Sequence, residues 1–403
     1  MKRAIAFLLS TAVLVAACFA FPVGATEEGE LYPYAYAFEE FWYRDAVEAA
    51  DFVRKIGCKG CVLMEASTGK VLFADGESNE LPIASVTKVM AILLLMEAID
   101  GGQIALSDTV TVSERAASMG GSQVYLEPGE QMTVDDLLKS VIVVSANDAT
   151  VALAEAICGS EEAFIARMNE RTGELGLKHT HFANTNGLPI EGHYSSAYDV
   201  AVMTRELLKH ETVLKYTGIW MDTIRNGAFG LANTNKLIRF YEGANGMKTG
   251  FTSEAGYCLS GTAKRNGMQL IAVVLGAQTS NDRFALAKQL LDYGFACYAL
   301  ERPEAELPEF LPVRGGERDR VGLCCDVPPL LVRKGGKSTL RQELSLPGQA
   351  DAPVKEGDVL GTLTFYDGDT PVAVSEVKAA ETVPAIRFSY SFHRILTYLF
   401  GIF

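Results

Sequence analysis

A chain of 403 residues exceeds the usual size of one domain, so two domains with appendages are the expectation. Its composition, 48% hydrophobic and 21% charged, excludes a disordered polymer and provides for a sizeable core. The formal net charge of -14 argues against a nucleic-acid partner, because neutralising phosphates needs a basic face.

Residues 1–25 read as an export signal. Lys2 and Arg3 precede the apolar run Ala4 to Ala17, too short for a comfortable membrane span, and Val23-Gly24-Ala25 offers small residues before the acidic Thr26-Glu27-Glu28. Val15-Ala16-Ala17-Cys18 also resembles a lipobox with Cys18 as the lipidated residue, although the apolar stretch continues through Phe19 and Phe21. Setting Cys18 aside leaves an odd number of cysteines, which cannot all pair within one chain. Cys58-Lys59-Gly60-Cys61 has the spacing of a metal or redox pair. No second pair or nearby His completes a zinc site, and Cys61 opens the strand-like run Cys61-Val62-Leu63-Met64, so no metal or other cofactor is expected.

Residues 26–47 are acidic and aromatic without a clear period and read as a leader segment. A main domain is expected over 48–304. Cys61 to Glu65 and Lys70 to Phe73 are short strands around the turn Ser67-Thr68-Gly69. Val86 to Ile99 is a helix that stops at Asp100-Gly101-Gly102. Asp135 to Val144, Ala149 to Ile157 and Ser196 to Leu208 are further helical runs. Strands return at Gly256 to Ala263 and Met268 to Leu275, flanking the hairpin turn Arg265-Asn266-Gly267, and Arg283 to Tyr293 is helical. This order predicts an α/β (α+β) domain: an antiparallel sheet made from the two ends of the segment, with a helical cluster inserted between them. Over 305–385 the prolines Pro308 and Pro312 and short alternating runs predict a small all-β domain. In 386–403, Phe388, Phe392, Ile395, Leu396, Leu399, Ile402 and Phe403 follow helical spacing beside Arg387, His393 and Arg394 with no acid. Such a helix suits the plane of a membrane interface; an ordinary packing helix is the bland alternative.

Three short motifs carry chemistry. In Ser85-Val86-Thr87-Lys88 at a helix start, the amine falls one turn from the hydroxyl on the same face. A lysine kept neutral by burial and neighbouring cations can serve as the base a serine nucleophile needs. In Ser145-Ala146-Asn147, between two helices, the hydroxyl can relay a proton and the amide can hold a substrate carbonyl. In Lys248-Thr249-Gly250, before an expected edge strand, the ammonium supplies positive potential beside Ser145. The hydroxyl can bind a terminal carboxylate, and the glycine lets a peptide lie flush on the strand. Taken singly, each has a bland reading as a helix cap, a capping turn or a hairpin turn. Found in this order on suitable elements, they point to one site.

With these motifs the chain resembles the low-molecular-mass penicillin-binding proteins, the serine-type D-alanyl-D-alanine carboxypeptidases of the serine-lysine peptidase group. The likeness runs through Leu63 to Phe73, Pro82 to Met90, Val144 to Asp148, His181 to Pro189 and Gly243 to Tyr257. The resemblance implies Ser85 as nucleophile, Lys88 as its base, and Ser145, Asn147, Lys248, Thr249 and Gly250 in the second and third motifs. It further implies an oxyanion hole from the backbone N–H groups of Ser85 and Phe251, and Arg283 as an aid to carboxylate binding. The implied partners are the peptidoglycan stem peptide, β-lactams as covalent inhibitors, and a membrane surface. The implied place is the outer face of the bacterial cytoplasmic membrane, peripherally attached. Two other readings stand beside this one. A class A β-lactamase needs a deacylating glutamate in Glu-x-x-Leu-Asn, which Glu170 to Leu177 lacks. A catalytically idle wall-binding or penicillin-sensing module would have lost Ser85 or Lys88, and neither is lost.

Overall fold

The computed structural model describes residues 57–335 and 340–400. The expected export signal and leader segment lie outside the described residues.

The main sheet is antiparallel. It comprises β1 (Gly60–Glu65), β2 (Val71–Asp75), β3 (Ala244–Thr252), β4 (Gly256–Arg265) and β5 (Met268–Ala277), ordered β2-β1-β5-β4-β3. Its turns follow local chemistry. The Glu65 carboxylate accepts hydrogen bonds from the backbone N–H and hydroxyl groups of both Ser67 and Thr68. Asn266 and Gly267 take φ of 49° and 82°, which suits the twist of a tight hairpin.

Alternation along the strands gives each face of the sheet its own cover. Val62, Met64, Ile271, Val273 and Leu275 join the core of the inserted helical cluster. Leu63 and Leu270 lie under Gly294 of the long helix on the opposite side. The helices that matter here are α1 (Lys88–Asp100), α2 (Val134–Val143), α3 (Asn147–Cys158), α4 (Glu161–Glu174), α5 (Ala197–Leu207) and α6 (Ser280–Cys297). From Val89 to Met96 every residue of α1 is buried, the pattern of a helix apolar all round that runs through the middle of a domain. Thr133, Ser160, Ser196 and Thr279 cap α2, α4, α5 and α6 by accepting a backbone N–H from the third residue of each helix.

Two short two-stranded ribbons, Thr109–Thr111 with Gln131–Thr133 and Met221–Ile224 with Phe229–Ala232, lie in the inserted segment. The strands after α6 are β6 (Tyr298–Glu301), β7 (Phe310–Arg314), β8 (Arg320–Cys325), β9 (Leu330–Arg333), β10 (Leu340–Ser345), β11 (Ala350–Asp351), β12 (Val359–Asp367) and β13 (Thr370–Ala379). β6 pairs with β9, and the others form a six-stranded sheet in the order β10-β12-β13-β8-β7-β11. Two small apolar cores support it, one around Leu311, Val321 and Val383, the other around Leu363, Phe365 and Val377. α7 (Phe388–Phe400) follows, with Phe388, Ile395, Tyr398 and Leu399 exposed. Among the described residues no helix is long and apolar enough to cross a membrane. The expected α/β domain with an inserted helical cluster and a smaller all-β domain is thus the observed architecture.

Candidate active site

Ser85 lies in a 3-10 turn, Ala84–Thr87, and not in the first turn of the α-helix as its spacing suggested; Lys88 is the first residue of α1. The turn begins with Ala84 at φ 47°, a left-handed conformation a non-glycine residue adopts only when its surroundings impose it. Those surroundings are two glycines. At Gly187 a Cβ would stand 1.9 Å from the Ala84 carbonyl oxygen. At Gly250 of β3 it would stand 2.8 Å from the Ile83 oxygen and 2.9 Å from the Ser85 nitrogen. Gly250 is therefore required by the turn that carries Ser85, more directly than by a peptide lying along the strand.

Lys88 is fully buried and its Nζ has three neighbours: Asn147 Oδ1 at 2.6 Å, the Asn186 carbonyl oxygen at 2.9 Å and Ser85 Oγ at 3.0 Å. A neutral amine has two N–H groups and one lone pair. The amide and carbonyl oxygens can only accept, so they take the two N–H groups and leave the lone pair for the Ser85 hydroxyl. Burial first, and the nearby Lys248 second, hold the Lys88 amine well below its ordinary pKa, with Asp148 opposing them. The Asn147 amide, expected to hold a substrate carbonyl, is engaged within the protein: Oδ1 accepts from Lys88 and Nδ2 donates to the Gly120 carbonyl at 2.7 Å.

Ser145, at φ 66° in the break between α2 and α3, is buried, and its hydroxyl has no hydrogen-bond partner among the described residues. It is not hydrogen-bonded to Lys88 or Lys248, so of the motif side chains Ser85, Lys88 and Asn147 form the hydrogen-bonded cluster and Ser145 stands outside it. Lys248 is also buried and donates to the Thr249 carbonyl at 3.0 Å; burial first and Arg283 second push its amine down to about 7. Thr249 Oγ1 lies 2.6 Å from Thr234 Oγ1. Arg283, expected to help hold a carboxylate, donates from one terminal nitrogen to the carbonyls of Gly250 and Cys258, at 3.0 and 3.3 Å. The Thr279 cap sets where α6 starts and so places this guanidinium between Tyr257 and Phe284. Its reach into the site is through its charge and the Gly250 backbone. Phe251 is exposed and stacked on Tyr257, ring centroids 4.3 Å apart.

Several contributors had no role assigned from the sequence. Asn184 Oδ1 accepts from the backbone N–H of Asn186 and Gly187, shaping the turn that offers the Asn186 carbonyl to Lys88. His193 Nδ1 accepts from the Ala183 N–H, so Nε2 donates to Thr87 Oγ1 at 2.7 Å. Burial, with His181 second, pushes this imidazole down to about 4, and it is neutral at ordinary pH. Among the described residues no carboxylate hydrogen-bonds Ser85, Lys88 or Ser145; Glu170 and Glu174 pair instead with surface arginines of α4. Cys58 and Cys61 are free thiols, and no metal-holding group of side chains occurs among the described residues.

A serine 3.0 Å from a buried lysine whose pKa is held well below its ordinary value, at the junction of an antiparallel sheet and a helical cluster, fits the class of serine-lysine acyl-transferring hydrolases. Residues 45–279 match the family model for D-alanyl-D-alanine carboxypeptidase, and residues 307–385 match that of the penicillin-binding protein 5 C-terminal domain. The D-alanyl-D-alanine carboxypeptidase DacF of Bacillus subtilis is 44% identical over 337 residues, covering 82% of this chain and 87% of that one. The crystal structure of penicillin-binding protein 5 from Haemophilus influenzae superposes with a TM-score of 0.72 at 32% identity, covering 82% of this chain and 98% of that one. The ampicillin-bound form of penicillin-binding protein D2 from Listeria monocytogenes gives 0.54 at 30% identity, covering 59% and 97%. The chain belongs to the D-alanyl-D-alanine carboxypeptidase family, the low-molecular-mass penicillin-binding proteins.

Proposed function

We propose that Ser85, Lys88 and Ser145 perform the chain's serine D-Ala-D-Ala carboxypeptidase reaction, with Asn147, Lys248, Thr249, Gly250, Phe251 and Arg283 shaping the substrate site. The enzyme removes the terminal D-alanine from peptidoglycan pentapeptide stems and binds penicillins. Ser85 Oγ attacks the carbonyl of the penultimate D-alanine. Its proton passes to the Lys88 lone pair, a C–O ester bond forms, and the C–N bond to the last D-alanine breaks. Ser145, buried and with no hydrogen-bond partner among the described residues, relays the proton to the leaving amine. Water then cleaves the ester and restores the Ser85 hydroxyl. The backbone N–H groups of Ser85 and Phe251 hold the oxyanion, beside Gly250, where a Cβ would stand 2.9 Å from the Ser85 nitrogen. Lys248 and Thr249 receive the terminal carboxylate. In a β-lactam the leaving amine stays tethered, so the ester persists.

The observation that carries this reading is the setting of Lys88: buried, held well below its ordinary pKa, with Nζ 3.0 Å from Ser85 Oγ and its other two neighbours able only to accept, so that the neutral amine turns its lone pair to Ser85. Incubation with a defined pentapeptide should release one D-alanine per stem, and Ser85→Ala should abolish release while costing no more than about 1 kcal/mol of stability in denaturant unfolding. Persistent release by the Ser85→Ala protein would overturn the assignment.

The same reading divides the chain into a signal peptide at 1–25, a leader at 26–47, a catalytic domain at 48–304, a β-rich domain at 305–385 and an amphipathic anchor at 386–403. The exposed Phe388, Phe392, Ile395, Tyr398 and Leu399 support the anchor role, because a large apolar face is stable in water only when something covers it. The enzyme is then exported and held peripherally on the outer face of the cytoplasmic membrane.

A further inference from the structure

Tyr125 is held in an unusual way. Its φ is 56°, in the left-handed region, and two thirds of its surface is exposed (67%). A bulky residue takes this conformation only where neighbouring contacts enforce it, and here hydrogen bonds to the loop backbone do so. On either side Val124 and Leu126 are buried, and their N–H groups donate to Asp148 Oδ2 at 3.0 and 3.1 Å. From the other side Arg225 donates to the carbonyls of Val124 at 2.8 Å and Tyr125 at 3.2 Å. Its remaining donors engage both Glu130 oxygens, at 2.7 and 3.0 Å. The loop is clamped between an acid and a bidentate arginine, and the tyrosine ring is what it presents.

The loop also belongs to the site. Its Gly120 and Ser122 carbonyls accept from the Asn147 side chain and backbone, each at 2.7 Å, and Asn147 in turn holds Lys88. The Tyr125 ring meets Phe229 edge-on, centroids 6.3 Å apart; Phe229 lies on the second strand of the hairpin Met221–Ile224 with Phe229–Ala232, which leads to Thr234, and Thr234 contacts Thr249. The aromatic pair is thus tied along the chain to the second motif through Gly120 and Ser122 and to the third through Thr234. Arg225 lies over the Phe229 ring at 5.6 Å, so a cationic group is disfavoured there and an aliphatic one is favoured.

We propose that Tyr125 is a specificity-determining residue whose ring packs on the aliphatic portion of the stem residue immediately upstream of the two D-alanines, with Arg225 as the residue that positions its loop. The inference rests on Ser85 as the nucleophile, which fixes where the scissile bond lies. The test compares kcat/KM for a pentapeptide stem with that for N-acetyl-D-alanyl-D-alanine, which has the same scissile bond and no upstream residue. In Tyr125→Gly the ratio of the two should fall about tenfold, the loss of one aromatic contact. In Tyr125→Phe it should stay within about twofold of the parent, because the ring is kept. The melting temperature of Tyr125→Gly should not fall, since glycine accepts positive φ without strain. An unchanged ratio in Tyr125→Gly, or an equal loss in Tyr125→Phe, would overturn the proposal. Failure of the parent enzyme on both substrates would instead remove the Ser85 assignment, and the proposal with it.

Discussion

Lys88→Arg should lower kcat/KM for D-alanine release and the rate of penicillin acylation by a factor on the order of 10³ to 10⁴, the weight of a positioned general base. Arginine keeps much of the length but cannot give up its proton, so it brings a buried charge and the lone pair facing Ser85 vanishes. Lys88 is itself fully buried, and its two oxygen partners suit an amine's two N–H groups. In the parent enzyme activity should fall with decreasing pH as Lys88 takes up its proton, at a pH well below the ordinary lysine value of 10.5. Carboxylate recognition should weaken in the opposite direction, as Lys248 loses its proton above about 7. The sign for stability follows from the same shifts. Both folded-state values lie below the unfolded ones, so the unfolded chain binds more protons in the intervening window. The stability linked to Lys248 is complete above 10.5 and is lost as pH falls toward about 7. A pH series of single-turnover penicillin acylation in the parent and in Lys88→Arg checks both statements. A variant within about tenfold of the parent would show that the proton leaves Ser85 by another route.

Gly250→Ala should cost about 10² to 10³ in acylation rate, the range for loss of one oxyanion donor. The added Cβ would stand 2.8 Å from the Ile83 oxygen and 2.9 Å from the Ser85 nitrogen, closer than real contacts allow. Something must move, and the movable element is the 3-10 turn that carries Ser85. Stability should fall by about 1–3 kcal/mol through the same overpacking. Measuring the acylation rate beside the melting temperature separates the two effects, since a folded but slow variant reports on the oxyanion hole. A stable variant acylating within about twofold of the parent would contradict the geometry.

The elements legible in the sequence are those governed by near neighbours along the chain. Asn266-Gly267 forms its hairpin because those two residues accept positive φ, and Asp100-Gly101-Gly102 ends α1. The Ser85–Lys88 contact follows from a three-residue spacing alone. What tertiary packing decides was not legible. Asn186 serves Lys88 through its backbone carbonyl, and a carbonyl leaves no trace in the residue type. Gly187 matters because the Ala84 carbonyl, 103 positions away in the chain numbering, presses against it. His193 supports Thr87 from an equally distant segment. Arg283 sits where expected on α6, yet its direction is set by the Gly250 and Cys258 carbonyls and by two flanking rings, none of which spacing reveals. Asn147 was found by its motif, while its engagement with Lys88 and Gly120 depended on the fold.

Labelling the whole protein with a penicillin, digesting it and locating the adduct by peptide mass spectrometry tests the central claim most directly. A single adduct should appear on the peptide containing Ser85, and none should form in Lys88→Arg over the same interval. An adduct on any other residue, or undiminished labelling without the lysine, would mean that this hydroxyl and this amine are not the reacting pair.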